Sequence, residues 1–242
     1  MSDEESAPPD PKPEVPPAVR AQLLATEHWS LLASRSTAQS EVLTRISMFL
    51  TLVSAGLVSL ALAGQATDFD EGFPGLAITL LGIILLVGTL TQLRVYNVGM
   101  EDLVYVLAMN RLRGAYAELD PGIAKFLMAS RYDDRAGSIT TYYAFAARNW
   151  SQVLASSMLF ITAVNSTLMG LLLAGITLGV GWPLTLGLTI AVLGGLGFLT
   201  VSVFLGGFRY SRVWSQYTPL FPSPPAAPPA QPGRPEHPRP TP

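Results

Sequence analysis

The chain contains no cysteine, which excludes disulfides, thiolate nucleophiles, Cys-ligated zinc and iron–sulfur clusters. Its two histidines, His28 and His237, are too few for a His-based metal centre, and His237 sits in a proline-rich tail. Charge is scarce as well. Asp, Glu, Lys and Arg make up 13% of the residues, against about 25% in an ordinary soluble domain. The net charge of −2 supplies no basic field for nucleic acid. Phosphate loops, nucleophile elbows and metalloprotease helices are missing from the sequence. No cofactor is expected, and the reading is non-enzymatic.

What the 242 residues do contain is apolar and clustered: 49% are hydrophobic, and the mean hydropathy is +0.37. No charge occurs in Ile46–Thr67, Gly72–Leu93 or Asn149–Phe208, runs of 22, 22 and 60 residues. About 20 apolar residues cross a bilayer as a helix. The first two runs are one span each. The third is two, turning at Gly179-Val180-Gly181-Trp182-Pro183. Spans are expected at about 44–65, 73–93, 153–176 and 184–207. The first hairpin turns at Gln65–Pro74, with Asp68, Asp70 and Glu71. An acidic N-terminus with no early apolar run makes span 1 an uncleaved signal anchor.

Proline marks the ends. Six of the 20 prolines precede residue 18, and 11 lie from Pro219 onward. Proline removes a helix donor and clashes with the preceding turn, so disordered Pro-rich tails are expected at 1–19 and 219–242, around a membrane domain at 20–218. The C-terminal tail has PxxP spacing at Pro225–Pro228, Pro229–Pro232 and Pro232–Pro235. It reads as a docking segment for aromatic grooves or as a bare spacer.

Basic residues orient the spans. Four precede the first uncharged run, seven lie between spans 2 and 3, four follow span 4, and neither hairpin turn has one. The positive-inside rule then puts both termini and the 94–150 segment in the cytoplasm of a multi-pass plasma-membrane protein. Residues 18–45 form a helix running into span 1, and span 2 continues helically to Leu119. A short helix capped by Asp120 ends near Tyr132. A last helix from Ser138 enters span 3 through an interfacial belt of Tyr142, Tyr143, Phe145 and Trp150. The predicted fold class is all-α: a four-span transmembrane helical bundle with helical cytoplasmic extensions.

Three sets of residues are candidates for function. Small residues recur every fourth position at Ala55, Ser59, Ala63; Gly170, Ala174; Gly175, Gly179; and Gly187, Ala191, Gly195. They let helices approach closely, either within one chain or between copies of a homo-oligomer. Thr162, Asn165 and Ser166 put polar groups deep in span 3, where an amide must find a partner or line a polar lumen. Arg94, Asn97 and Glu101 share a helical face to which Arg111 returns, and Arg113 completes a basic cluster. That set is a docking site for a cytoplasmic protein or anionic headgroups, or an ion-pair stripe holding helices together. Asp133-Asp134, beside Arg131 and Arg135, reads as a solvated, self-paired helix end rather than a divalent-metal site.

SMFLTLVSAGLVSLALAG at 47–64 and SMLFITAVNSTLMGLLLAG at 157–175 look alike, as two parallel repeats would. The stretches EHWSLLASRSTAQSEVLTRISMFLTLVSAGLVSLAL (27–62) and NRLRGAYAELDPGIAKFLMASRYDD (110–134) resemble uncharacterised membrane proteins of GC-rich bacteria. The bias of 13 Arg among 15 basic residues agrees with such a source. More distantly, a leading helix, a two-span hairpin and a helical extension over residues 20–120 resemble the SLATT group. This resemblance implies a pore-forming membrane effector; the second hairpin departs from it. The expected function is a homo-oligomeric pore- or channel-like assembly, or else a membrane scaffold presenting the 94–150 segment and the proline tail to partners; the expected partners are the lipid bilayer, further copies of the chain and a cytoplasmic protein.

Overall fold

The computed structural model describes residues 15–144 and 150–225. The acidic segment before Val15, Phe145, the side chain of Trp150 and the PxxP run beyond Pro225 lie outside the described residues. Among those described, all regular structure is helical: α1 Pro17–Ala66, α2 Phe73–Leu119, a 3-10 turn Pro121–Phe126, α3 Arg135–Tyr142, α4 Trp150–Leu154, α5 Ser157–Gly179 and α6 Leu184–Gln216. The four longest helices, α1, α2, α5 and α6, are each long and apolar enough to cross a membrane. In lipid, only intrahelical bonding satisfies the backbone of such segments.

The helix ends follow local chemistry. Pro17 sits at the first turn of α1, where its missing N–H costs nothing. In the first hairpin turn Asp68 and Phe69 take left-handed backbone, φ 47° and 56°. That conformation is strained for a phenylalanine, and its ring packs on Gly64. Asp70 Oδ1 then accepts from the N–H groups of Gly72 and Phe73, each at 3.1 Å, and starts α2. Ser156 caps α5 by accepting from Leu159 N–H at 3.2 Å. Gly181, at φ 82°, closes α5 in the left-handed conformation that glycine adopts freely.

Helix α1 packs on α2, α2 on α5, and α5 on α6. Phe49, Ile84, Ile161 and Leu168 fill the centre of the first three helices with at most 2% of their surface exposed. Helix α6 is peripheral. Among its 33 residues only Gly187, Ser202 and Gly206 are buried, and Val192, Leu193, Leu196, Phe204 and Leu205 face outward. On one face of the bundle α1 and α2 run on together as a two-helix arm. Residues 17–45 of α1 and 94–119 of α2 extend it about 40 Å beyond the uncharged runs at 1.5 Å per residue.

Several boundaries differ from those the sequence suggests. Span 3 starts at Ser157 rather than 153, because Ser156 breaks the helix to cap it. No single helix runs from Ser138 into that span: α3 stops at Tyr142, and α4 is separated from α5 by residues 155–156. The turn capped by Asp120 ends at Phe126, not near Tyr132. At the C-terminal end the segment 217–225 is held by hydrogen bonds to Asp133 and Asp134, just before α3, so residues 219–225 join the ordered unit. Proline forbids helix there, but it leaves every other residue's N–H free to dock.

Candidate functional site

Inside the bundle the polar groups form a chain. Asn165, with 0% of its surface exposed, donates from Nδ2 to Gln92 Oε1 at 2.8 Å. Gln92 Nε2 donates to Tyr96 Oη at 3.3 Å, and the Tyr96 hydroxyl donates to the Ser202 carbonyl at 2.7 Å. One line of hydrogen bonds thereby joins α5, α2 and α6. Asn165 Oδ1 is left without a donor. It faces Gly88, where an added Cβ would lie 2.6 Å from Phe49 Cζ. Thr162 and Ser166 instead bond back along their own helix, to the Met158 and Thr162 carbonyls. Span 3 therefore turns its amide into the packed interior of one chain. Gln92 and Tyr96, which complete the chain, lie at the edge of an uncharged run and were not singled out by the sequence.

The small-residue stripes divide in two. On α6, Gly187, Ala191 and Gly195 meet Thr177, Gly170 and Ser166 of α5; a Cβ at Gly195 would sit 2.9 Å from the Ser166 carbonyl oxygen. They serve packing within the chain. In the span half of α1 the buried small residues are Gly56 and Gly64. Ala55 and Ser59 are exposed, and Ala63 is half-buried, so this stripe does not pack α1 onto its neighbours.

The arm is cross-braced by charge. Arg35 Nε lies 2.6 Å from Asp102 Oδ1, and Asp102 also accepts from Gln39 and from the Tyr142 hydroxyl. Burial alone would push the Asp102 carboxyl up, but these donors outweigh it and hold it below the usual range. Burial and the bond to Asp102 push the Tyr142 hydroxyl well above its ordinary value. Tyr142 therefore pins α3 to the arm. Arg94 bridges Glu41 of α1 at 2.8 Å and Glu101 at 2.7 Å. Asn97 is exposed and takes no part.

Arg111 does not return to Arg94 and Glu101. Seventeen residues further along the same helix, about 25 Å away, it pairs with Asp133 at 2.9 Å. Asp133 has 0% of its surface exposed, so the expected solvated, self-paired helix end is overturned. Its Oδ2 accepts from Arg111 Nε, Tyr217 Oη and Leu220 N–H, and its Oδ1 accepts from Phe221 N–H at 2.7 Å. Its own N–H donates to the Phe221 carbonyl. Asp134 caps α3 through Gly137 N–H and accepts from the N–H and hydroxyl of Ser223. Two adjacent aspartates thus latch the C-terminal segment to the arm, with the Phe221 ring against Gly114. Burial would raise the Asp133 carboxyl, yet its four donors hold it below the carboxylate range. Burial and Asp133 push the Tyr217 hydroxyl up to about 12.

Arg113 stands apart from both systems. Its guanidinium donates to Asn110 Oδ1 at 2.8 Å. Asn110, fully buried, also accepts from Thr141 and donates to the Tyr132 carbonyl. Nearby, His28 stacks on Tyr116 with ring centroids 6.2 Å apart. Compared with protein families, with curated proteins and with solved structures, the chain finds no match in any of the three.

Proposed function

We propose that the chain is a non-enzymatic membrane scaffold that presents its two-helix arm to a cytoplasmic protein partner. The observation that carries this reading is the continuity of α1 and α2 from span to arm without a break, braced by Arg35–Asp102 and Arg94–Glu41. Such an arm holds its surface at a fixed height and angle. It also displays Trp29, 71% exposed, with Leu32 at 41% and Leu43 at 58%. Tryptophan and arginine dominate the energetic centres of protein interfaces. Placement in a bacterial plasma membrane with both termini inside belongs to the same proposal and rests on the one-sided distribution of Lys and Arg.

The first measurement is the particle mass and composition after extraction in native-lipid nanodiscs. A stoichiometric soluble protein that is lost with Trp29→Ala supports the scaffold. Its retention in that variant counts against the arm as the docking surface.

A second reading, a homo-oligomer enclosing a pore, is favoured by the outward-facing α6 and by the exposed Ala55–Ser59 stripe. The interior of one copy is filled by Phe49, Ile84, Ile161 and Leu168, so a conduit in this reading forms between copies. A discrete homo-oligomer without partner, conducting in planar bilayers, would establish it.

A further inference from the structure

Past the end of α2 the chain forms a groove of about 500 Å³, inside the range of about 300–1,000 Å³ usual for ligand pockets. Leu127, Met128 and Ala129 give it an apolar wall. Tyr132 and Arg131 also line it, with the guanidinium 5.2 Å from the ring centroid and bonded to the Tyr132 hydroxyl at 3.0 Å. That hydroxyl is the acceptor in the bond, so its own proton stays free, and the guanidinium keeps further N–H donors. The groove therefore joins an apolar wall and an aromatic ring to spare donors.

A second observation says what fills it. Ser223 belongs to the same lining, and Asp134 holds it there by accepting from its N–H at 2.7 Å and its hydroxyl at 2.8 Å. The described chain runs two residues further, to Pro225. Residues 226–242 then hold seven prolines, beginning with Pro228 and Pro229. Such a sequence favours PPII, which has no internal hydrogen bonds, and each proline lacks an N–H. It offers apolar rings and free carbonyl acceptors, the complement of an apolar wall with spare donors. Aromatic grooves take proline-rich segments on these terms.

We infer that the groove beside Tyr132 is a docking site for this chain's own proline segment, residues 226–232, with Pro228 and Pro229 seated in it. Pro224 and Pro225 are exposed, and Ala226-Ala227 is the first pair free of proline's fixed φ, where the chain can turn back. From Pro225 to Pro229 is about 12 Å at about 3.1 Å per residue, more than the two residues that separate Pro225 from Ser223. So short a tether gives an effective concentration in the millimolar range, which fills a site too weak to hold a free peptide. A partner for this groove has to displace the chain's own segment. The inference does not depend on the scaffold reading. It needs the groove and the tail on one side of the bilayer, which the bonds from Leu220, Phe221 and Ser223 to the two aspartates already secure.

The absence of cysteine makes a single-thiol test clean. Ala129→Cys is placed in the full chain in phosphatidylcholine nanodiscs, and its rate of alkylation by a maleimide is measured. Replacing residues 226–232 by Gly and Ser in equal number should speed alkylation about tenfold, the release of a site filled to about 90% by its tether. A synthetic peptide of residues 226–235, added at millimolar concentration to that variant, should slow it again. Hydrogen exchange at the Leu220 and Phe221 amides should stay the same throughout, which separates an emptied groove from an unfolded one. Should Ala129→Cys fail to fold, Ala124→Cys reads the same groove. Equal alkylation rates with the native and the Gly/Ser tail overturn the docking. A faster rate that the peptide does not reverse overturns it as well, because the tail then shields the thiol without being recognised. Protection present with two chains per disc and lost with one overturns the cis occupant in favour of a second copy's tail.

Discussion

Asp133→Asn should open the C-terminal latch while leaving the bundle folded. The substitution keeps the shape of the side chain and removes its charge. If the amide oxygen takes the place of Oδ1, it still accepts from Phe221 N–H, now 2.7 Å away. The amide nitrogen then replaces Oδ2, where three donors converge: Arg111 Nε at 2.9 Å, the Tyr217 hydroxyl at 2.8 Å and Leu220 N–H at 3.0 Å. The N–H donors of Arg111 and Leu220 would each face a donor, and the Tyr217 hydroxyl would have to turn from donor to acceptor. Flipping the amide exchanges this for one donor clash at Phe221 but still leaves Arg111 without its counter-charge. The Arg111 side chain is 42% exposed, so water takes up part of its lost counter-charge; losing hydrogen bonds to the charged carboxylate costs about 1.5–3 kcal/mol, which is about one to two decades in an opening equilibrium. Hydrogen–deuterium exchange of the full chain in nanodiscs reads this directly, because the Leu220 and Phe221 amides are themselves the protected donors. Their protection should fall by that factor or vanish, with α1 and α5 unchanged. Full protection of both amides in the variant would refute the latch.

Three further outcomes follow from the geometry. The latch should hold from strongly acidic to strongly alkaline pH and open beyond either end. Asp133 binds its proton less tightly when folded, so its contribution is complete above about pH 4 and is lost as pH falls through the lower native value. Tyr217 is raised to about 12, so its contribution is complete below about pH 10 and is lost as pH rises through the native value. Trp214 packs edge-on to Tyr217, and its emission, with the other tryptophans replaced by Phe, should change at both ends. Gly88→Ala should destabilise the bundle by about 1–3 kcal/mol through overpacking against Phe49 and Asn165, seen as a lower thermal midpoint in detergent; an unchanged midpoint would mean the notch is loose. Gly195→Leu should separate α6 from α5 at the Ser166 carbonyl, whereas Ala55→Leu should leave the monomer intact. If Ala55→Leu dissolves a homo-oligomer, the α1 stripe is the contact between copies; if self-association persists, that contact lies elsewhere.

The spans and arm helices were legible because their signals are local and repeated. The uncharged runs, the terminal prolines, Asp120 as a cap and Gly181 in the second turn each act on their own neighbours. Contacts across the chain were not. Asn165 announced a need for a partner without naming Gln92, 73 residues away, because an amide's appetite says nothing about which helix answers it. Asp133-Asp134 looked like surface charge because the groups that bury it come from 84 to 88 residues later, in a stretch whose prolines suggested disorder. Arg111 and Glu101 share a periodicity, but a helical wheel discards height along the axis, and height decides which charges meet. Nothing in the neighbourhood of Asp102 along the chain shows that it faces α1, where Arg35 and Gln39 donate to it.

The unbroken passage of α1 from arm to span makes the molecule a lever. About 43 Å of α1 lies on the arm side of Ile46 and about 31 Å on the span side, from 29 and 21 residues at 1.5 Å each. A sideways force at Trp29 therefore becomes a torque on the bundle, with the Phe49–Gly88–Asn165 contact close to the fulcrum. The aspartate latch extends the linkage, because the segment it grips directly follows α6, the span with the smallest buried share. Load placed on the arm is delivered to the most outward-facing span, and the four hydrogen bonds on the Asp133 carboxylate set the load at which that transmission slips.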